Sequence, residues 1–229
     1  MADALFSSIA RFHGDRPWGR VLDAGTGKHS LDWCRSLDAD EVVAVTGSKA
    51  RAEDLGCVLG NWTDPTLLVG EGFDVVLADY LIGAVDGFAP YFQSRLLGRL
   101  RPLVRDRLYV VGLEPLEDVD NAITRVARLR DACILLAGHR TYREYPRAWV
   151  LRNLESSGYR VLDSWSMPIV YKARWVNGQL DVAKRKLPWF KDRGLAEAMG
   201  TEIERLRREA LAAVPLSFGE DYVVAAAPV

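Results

Sequence analysis

The sequence is poor in the residues that bind structural metals or cross-link small secreted domains. Its 229 residues include three cysteines and three histidines. The cysteines, Cys34, Cys57 and Cys133, are scattered and odd in number, which fits a reducing compartment and excludes a disulfide framework or a zinc-finger pattern. The carboxylates form no trio of the kind that binds a divalent cation, so we predict no metal site.

Long apolar runs and a strong net charge are also missing. No window is apolar over the length of a membrane span, and the first residues lack the basic start and the long apolar run of a signal peptide. The formal net charge of −1 gives no overall attraction to nucleic acid or anionic lipid. We therefore expect a cytoplasmic protein with neither a membrane nor a nucleic-acid partner. The sequence leaves the oligomeric state open.

The residues that are present indicate one soluble domain over 1–229, since 49% are hydrophobic and 27% are charged. Basic clusters occur at helix-like spacing between apolar residues, which is typical of solvated helix faces. These clusters contain Arg99, Arg101, Arg105 and Arg107, then residues 184–186, then Arg205, Arg207 and Arg208.

The most informative stretch runs from Arg20 to Leu31 and reads R-V-L-D-A-G-T-G-K-H-S-L. An apolar run ends in Asp23, a turn with Gly25 and Gly27 follows, and a helical pattern opens near Ser30. The order is strand, glycine turn, helix. A backbone without Cβ lets a ligand lie directly against such a turn, so the stretch predicts a nucleotide-type cleft at the carboxyl end of a first strand.

Spacing separates the ligands that use such turns. A phosphate-binding P-loop requires G-x-x-x-x-G-K-S/T, but Leu22 stands at the first glycine position and His29 follows Lys28. A dinucleotide fingerprint requires G-x-G-x-x-G/A, and here Ser30 stands at the third small position. Asp23 would repel a pyrophosphate, whereas it would attract an ammonium or a sulfonium.

Strand and helix patterns alternate along the rest of the chain, which predicts a doubly wound, mostly parallel sheet with helices on both faces. After the strand that ends at Asp23, strands are predicted at 41–46, 56–59, 73–80, 107–113, 159–171 and 222–227, and the strand at 159–171 is predicted to be interrupted by Pro168. Helices are predicted at 2–12, 48–55, 64–69, 86–100, 120–137 and 146–154, and at 179–214 with a break at 187–188. In domain terms this gives an N-terminal helix within 1–15 and a helical insertion at 173–217.

The acidic residue and G-x-G of the first turn resemble the first motif of class I S-adenosylmethionine (SAM) methyltransferases, and the order of elements is similar to theirs over nearly the whole chain. The resemblance implies a single seven-stranded α/β domain in which a late strand pairs antiparallel with the last one. It also implies SAM as cofactor. The residues at the family's cofactor-binding positions are Asp23, Gly25, Thr26, Gly27, Thr46, Gly47, Asn61, Trp62 and Asp79.

The resemblance assigns these residues to different parts of the cofactor. The first turn would hold the methionine part, and Asp79 would lie near its amino group. Asn61 and Trp62 would read and stack on the adenine, although Trp62 could equally fill the core. At the end of the second strand the family usually has an acid that grips the ribose hydroxyls, and this chain has Thr46 and Gly47.

Candidate groups on the acceptor side are Tyr80, Glu114, His139 and Tyr142, which follow strand ends or lie in the loop H-R-T-Y-R-E-Y. His139 could act as a base because imidazole titrates near neutrality, or it could be an ordinary loop histidine after a helix. The sequence D-Y-L-I after the fourth strand departs from the N/D-P-P-Y/F of relatives that methylate planar amino groups.

These features favour a methyltransferase that transfers a methyl group from SAM to an oxygen or nitrogen of a small molecule. Two alternatives stay open: a catalytically silent SAM-binding module, which the missing ribose acid would favour, and a protein or RNA methyltransferase that uses the basic clusters. An NAD-dependent oxidoreductase is supported only by Gly25-x-Gly27.

Overall fold

Seven strands form one mixed sheet in the computed structural model, which describes residues 4–229. The strand order is β3-β2-β1-β4-β5-β7-β6, with β7 antiparallel to β5 and the pairs among β1 to β5 parallel. The strands are β1 (Arg20–Asp23), β2 (Glu41–Thr46), β3 (Val58–Leu59), β4 (Phe73–Asp79), β5 (Val104–Leu113), β6 (Tyr159–Tyr171) and β7 (Leu216–Pro228). The predicted doubly wound, mostly parallel sheet is confirmed.

Nine α-helices precede or connect these strands within the described residues. They are α1 (Ala4–His13), α2 (Lys28–Arg35), α3 (Lys49–Leu55), α4 (Leu81–Ala84), α5 (Gln93–Leu100), α6 (Ala122–Leu136), α7 (Arg147–Ser156), α8 (Ala173–Lys186) and α9 (Arg193–Ala213). The predicted N-terminal helix corresponds to α1, and the part of that prediction at 1–3 lies outside the described residues. Helices α8 and α9 fall in the region predicted as an insertion before the last strand.

Both faces of the sheet are covered because its central strands carry consecutive apolar residues, at 75–78 of β4 and at 108–111 of β5. Val76 and Ala78 of β4 belong to one buried cluster with α5 and α7, whereas Val75 and Leu77 belong to another with α1 and α2. Alternate side chains of a strand point to opposite faces, so this division places helices on both sides. The same alternation in β5 makes the two central strands the interior of a three-layer structure.

The chain divides into two compact units. The first contains the described part of Met1–Glu114 together with Tyr142–Met167 and Asp221–Val229. The second contains Pro115–Thr141 and Pro168–Glu220, and its core is a buried cluster built from α6, α8 and α9. This division into compact units does not test the prediction that 1–229 is a single domain, which therefore stays a prediction.

Two predicted helices were wrong, and both failures have a local cause. The stretch 64–69 forms turns, because Asp64 Oδ1 accepts the Thr66 amide at 2.8 Å and Leu68 adopts a positive φ of 55°. The predicted helix 86–100 is broken into a 3₁₀ turn at Val85–Gly87 and helix α5. The break follows from Pro90 and from Tyr91 at φ 65°, whose amide donates to Asp86 Oδ1 at 3.1 Å.

The predicted interruption of the sixth strand at Pro168 is also absent, since β6 runs without a break from Tyr159 to Tyr171. Strand β6 lies at the edge of the sheet. A proline is tolerated there because an edge strand has unpaired backbone positions, where a missing N–H removes no ladder hydrogen bond.

Helix α6 offers a test of the local forces in the second unit. The Asn121 side chain accepts the amides of Ile123 at 2.9 Å and Thr124 at 3.0 Å, which satisfies two of the free N–H groups at the helix start. We expect Asn121→Ala to lower the free energy of unfolding by about 1 kcal/mol. Asn121→Asp keeps the acceptor and should lose much less. Urea unfolding curves measure both, and equal losses in the two variants would contradict this role of the cap.

Candidate functional site

The turn after β1 is built around the carboxylate of Asp23, which is fully buried. Its Oδ2 accepts the hydroxyl of Ser30 at 2.7 Å and also the hydroxyl of Thr26. Ser30 Oγ in turn accepts the Gly27 amide at 3.1 Å. The other carboxylate oxygen, Oδ1, accepts no hydrogen bond from residues 4–229. One side chain therefore holds the end of β1, the glycine turn and the first turn of α2 together.

Burial raises the pKa of Asp23 to about 6, because removal from water disfavours the charged form. The hydroxyl groups of Thr26 and Ser30 and the backbone amide of Gly25 act in the opposite direction, since they stabilise the ionised carboxylate. The carboxylate is thus ionised at neutral pH, and it places a negative charge directly beneath the turn.

A cleft with about 480 Å³ of empty space opens beside this turn. It lies within the first unit, at the carboxyl ends of β1 and β2 and next to α4. Its lining residues are Ala24, Gly25, Thr26, Val45, Thr46, Gly47, Arg51, Gly60, Asn61, Trp62, Leu81, Ala84, Val85, Phe88 and Tyr142. The prediction that Gly25, Thr26, Thr46, Gly47, Asn61 and Trp62 share one site is consistent with this lining. Asp23 and Gly27 flank it without lining it.

Two glycines of the cleft are required by packing inside the protein. A Cβ on Gly25 would lie 2.6 Å from Leu81 Cδ1, and a Cβ on Gly47 would lie 2.7 Å from Phe88 Cδ1. The segment after β4 therefore packs directly against both turns. A Cβ on Gly27, in contrast, would meet no atom within 4 Å. The three glycines have different physical roles even though the sequence pattern treats them alike.

Asn61 and Trp62 line the cleft, but their polar side-chain atoms have partners within the protein. Asn61 Nδ2 donates to the carbonyl of Phe88 at 2.9 Å, and Oδ1 accepts the Thr63 amide at 3.0 Å. Trp62 is 3% exposed, and its indole nitrogen donates to the Ala24 carbonyl at 2.7 Å. These contacts brace the cleft between the β1 turn and the segment that contains Phe88.

Strand β4 ends at Asp79, and Tyr80 follows in the left-handed region with φ 46° and ψ 21°. Non-glycine residues seldom adopt this conformation, so surrounding contacts must hold it. The Tyr80 amide donates to Val111 of the neighbouring strand at 3.0 Å. The Tyr80 hydroxyl donates to Asp221 Oδ1 of β7 at 2.7 Å.

The loop at 142–147 is fixed by hydrogen bonds to three different elements of the first unit. The Arg143 amide donates to the Gly83 carbonyl at 3.2 Å, and the Arg147 amide donates to Glu114 Oε1 at 3.1 Å. The Tyr222 hydroxyl donates to the Tyr145 carbonyl at 2.8 Å. Tyr142 lies at the beginning of this loop, lines the cleft and packs beside Gly87.

His139 belongs to the second unit, while Tyr80, Glu114 and Tyr142 belong to the first. Its Nδ1 lies 3.0 Å from the ammonium of Lys186, and its ring packs edge-on against Trp189. An ammonium can only donate, so Nδ1 is the acceptor and the ring proton resides on Nε2. The structure therefore brings Tyr142 to the cleft, and it gives His139 a local partner of its own.

Sequence reasoning missed several residues of the site. Arg51 could have been found as a candidate, because it lies only four residues after Gly47 in the helix predicted to follow the second strand. Asp221 and Tyr222 gave no signal, since they contact Tyr80 and Tyr145 across 141 and 77 positions of sequence. The packing of Leu81 and Phe88 against the glycines was also missed, because Leu81 lay outside the predicted elements and Phe88 fell within the predicted helix 86–100.

The part of the chain that the structure describes contains neither a metal-binding cluster nor a membrane-spanning helix. Between residues 4 and 229 no group of three or more His, Cys, Asp or Glu side chains is arranged to hold a metal ion. Over the same residues, no helix combines the length and the apolar character needed to cross a membrane.

No family model matches the sequence, and no curated protein matches it. The fold does match solved structures. A candidate methyltransferase from Bacillus halodurans C-125 aligns over 99% of this chain and 100% of its own, with 15% identity and a TM-score of 0.61. A SAM-dependent methyltransferase from Archaeoglobus fulgidus aligns over 97% and 90%, with 17% identity and a TM-score of 0.56.

A third similar structure is the Burkholderia thailandensis 1,6-didemethyltoxoflavin N1-methyltransferase with its acceptor and S-adenosylhomocysteine (SAH) bound. It covers 99% of this chain and 77% of its own, at 18% identity and a TM-score of 0.53. Identities at this level establish the fold alone. The strand order, the antiparallel pairing of β7 with β5 and these matches together show that the chain has the class I methyltransferase fold.

Proposed function

We propose that this protein is a SAM-dependent methyltransferase that methylates an oxygen or nitrogen of a small-molecule acceptor. The observation that carries the proposal is the cleft itself. It lies at the carboxyl ends of β1 and β2, which is where open α/β sheets bind ligands, and it rests on a turn with a buried acid beneath it.

The residues present fit the cofactor in charge and in shape. Asp23 keeps a carboxylate oxygen, Oδ1, without a hydrogen-bond donor among residues 4–229, and its negative charge favours a ligand with an ammonium or sulfonium group. Gly25 and Thr26 would hold the methionine part against the turn, and Thr46, Gly47, Asn61 and Trp62 would enclose the nucleoside. Asp79 would lie toward the amino group at the end of β4.

Methyl transfer mainly requires that the reacting atoms are aligned. When bound, SAM supplies the methyl group and a neutral thioether as leaving group. The protein has to hold the acceptor atom in line with the methyl group and exclude water. Tyr142 is suited to this task because it lines the cleft, and Tyr80 is a second candidate because it follows β4 and its hydroxyl is held by Asp221. Glu114 supports the same edge through its hydrogen bond to the start of α7.

We favour a small acceptor because three hydrogen bonds hold the 142–147 loop against the first unit and Tyr142 of this loop lines a cleft with about 480 Å³ of empty space. We do not propose His139 as the base, because with Nδ1 accepting from Lys186 and the proton on Nε2 the neutral ring keeps no free lone pair for that role.

The basic residues of α9 favour the small-molecule proposal over RNA or protein. Arg205 pairs with Glu202 and Glu209, and Arg207 pairs with Asp181 at 2.8 Å. These carboxylates neutralise most of the positive charge that a phosphate backbone would need.

We expect SAM and SAH to raise the melting temperature of the protein, whereas NAD and ATP should leave it unchanged. A ligand that binds only the folded state stabilises it by about 2.7 kcal/mol at a hundredfold excess over its Kd. A thermal-shift panel of the four ligands measures this. Stabilisation by NAD alone would contradict the proposal. Binding of SAH without methylation of any acceptor would support a catalytically silent binding module.

Asp23→Asn tests the charge beneath the turn while it keeps an acceptor for Thr26 and Ser30. The folded-state pKa of about 6 lies above the ordinary value of 3.8, so the stability contributed by Asp23 is full below pH 4 and is lost as pH rises through 6. As the pH rises from about 4 to above 6, the free energy of unfolding of Asp23→Asn should therefore fall less than that of the wild type.

In the wild type the affinity for SAM should rise roughly threefold to tenfold as Asp23 ionises, and in Asp23→Asn it should stay flat. Calorimetric titrations at pH 5 and pH 7.5 measure this difference. The neutral ligand methylthioadenosine serves as control and should show no pH dependence in either protein. The same pH dependence of SAM binding in both proteins would contradict the role of Asp23.

Gly25→Ala and Gly27→Ala form a matched pair. The first should lower the free energy of unfolding by 1 kcal/mol or more, about the cost of overpacking, because its Cβ meets Leu81. The second has space for its methyl group and should change stability by less than about 0.5 kcal/mol. If the cofactor lies against the turn, Gly27→Ala should still lower the affinity for SAH about tenfold. Unchanged SAH affinity in a stable Gly27→Ala protein would remove the turn from the binding site.

Tyr80→Phe and Tyr142→Phe should lower kcat by about tenfold or more on any acceptor that the enzyme uses, with SAH affinity within twofold of the wild type. A panel of phenols, amines and carboxylic acids, with SAH release as readout, identifies an acceptor and then measures both variants. Charge reversal at Arg208, an exposed basic residue of the same chain, is the control. Larger damage from that reversal would favour a protein or RNA substrate.

A further inference from the structure

The cleft carries a single charged side chain along its lining, and that side chain is a cation. Of the 15 lining residues only Arg51 is charged, and none is a carboxylate. The nearby acids Asp23 and Asp86 are buried, with 0% and 3% exposure, and do not line the cleft. A ligand therefore meets positive charge at one position and no negative charge in direct contact.

The position of Arg51 identifies the part of the ligand that it meets. Arg51 lies in α3, which starts directly after β2, and it lines the cleft together with Thr46 and Gly47 at the β2 end. In nucleotide-binding sheets of this kind, the residue about twenty positions after the glycine turn faces the ribose, and Thr46 stands at that distance from Gly25. An acid there binds ribose hydroxyls, whereas an arginine accommodates a phosphate on the ribose.

The guanidinium of Arg51 is available for a ligand. It forms no ion pair and no side-chain hydrogen bond with residues 4–229, and the side chain is exposed. The exposed cations at the starts of α3 and α2 are engaged, in contrast: Lys49 lies 4.0 Å from Glu53, and Lys28 lies 2.7 Å from Asp32. Guanidinium groups donate in a planar fork, which suits the paired oxygens of a phosphate or of a ribose diol.

We infer that Arg51 recognises the ribose of the bound nucleoside, in place of a carboxylate, and that the cleft consequently binds a nucleoside with phosphate on the 2′ or 3′ oxygen more tightly than one with phosphate on the 5′ oxygen. This inference rests on the proposed function, which places the nucleoside in the cleft. A carboxylate at this edge would repel such a phosphate. The inference therefore predicts the direction of the preference, which is toward the 2′- or 3′-phosphate.

Competition against labelled SAH by the 2′-, 3′- and 5′-monophosphates of adenosine tests this. We expect the 2′- or 3′-monophosphate to displace SAH at a concentration roughly five times lower than the 5′-monophosphate, the effect of one partly exposed ion pair. The advantage should shrink with added salt. Arg51→Ala should abolish it and Arg51→Glu should reverse it, with both variants folded as judged by their melting temperatures.

Arg95→Ala is the matched control, because Arg95 is exposed, carries the same charge and does not line the cleft. It should keep the wild-type order of the three nucleotides. An equal displacement by all three, no displacement by any, or an order unchanged in Arg51→Ala would overturn the inference. Failure of SAH to bind would instead count against the proposed function, and the order of the nucleotides would then be read directly from the melting temperatures that they produce.

Discussion

The site depends on one buried carboxylate and the two hydroxyl groups that donate to it. Burial of an isolated charge is costly, and Asp23 is tolerated because Thr26 and Ser30 stabilise its ionised form. The same two hydrogen bonds connect the end of β1 to the turn and to α2. The contacts that keep the charge inside the protein are therefore also the contacts that shape the cleft, and a change to either partner alters both.

Around this centre, the cleft is closed by packing between segments that are distant in sequence. Leu81 and Phe88 lie against the glycines of two different turns, and Asn61 fixes Phe88 through its backbone carbonyl. Glycine at these positions serves the protein's own packing as well as any ligand. The glycine-rich pattern by itself thus says less about ligand contact than its resemblance to a cofactor motif suggests, and the open position at Gly27 carries more information.

Most of the sheet could be predicted from the sequence, because buried parallel strands are continuous apolar runs and helices show their own period. Two helical predictions failed where local hydrogen bonds of Asp64 and Asp86 compete with helix formation. In the site, the turn from Asp23 to Gly27 was predictable since it is contiguous. The contacts of Asn61 and Trp62 with Phe88 and Ala24 were not, because no local pattern encodes them.

The two sides of the candidate site therefore differ in how the chain encodes them. The proposed cofactor side comes from the first strands and their turns, where motif and geometry coincide. The proposed acceptor side is completed by β7, which is antiparallel to β5 and therefore begins at the carboxyl edge of the sheet, where Asp221 meets Tyr80 and Tyr222 meets the 142–147 loop. Variation in the loop and in the start of β7 can change the acceptor-side surface while the turn around Asp23 stays intact. This separation of parts is a physical reason why a single fold can serve many acceptors.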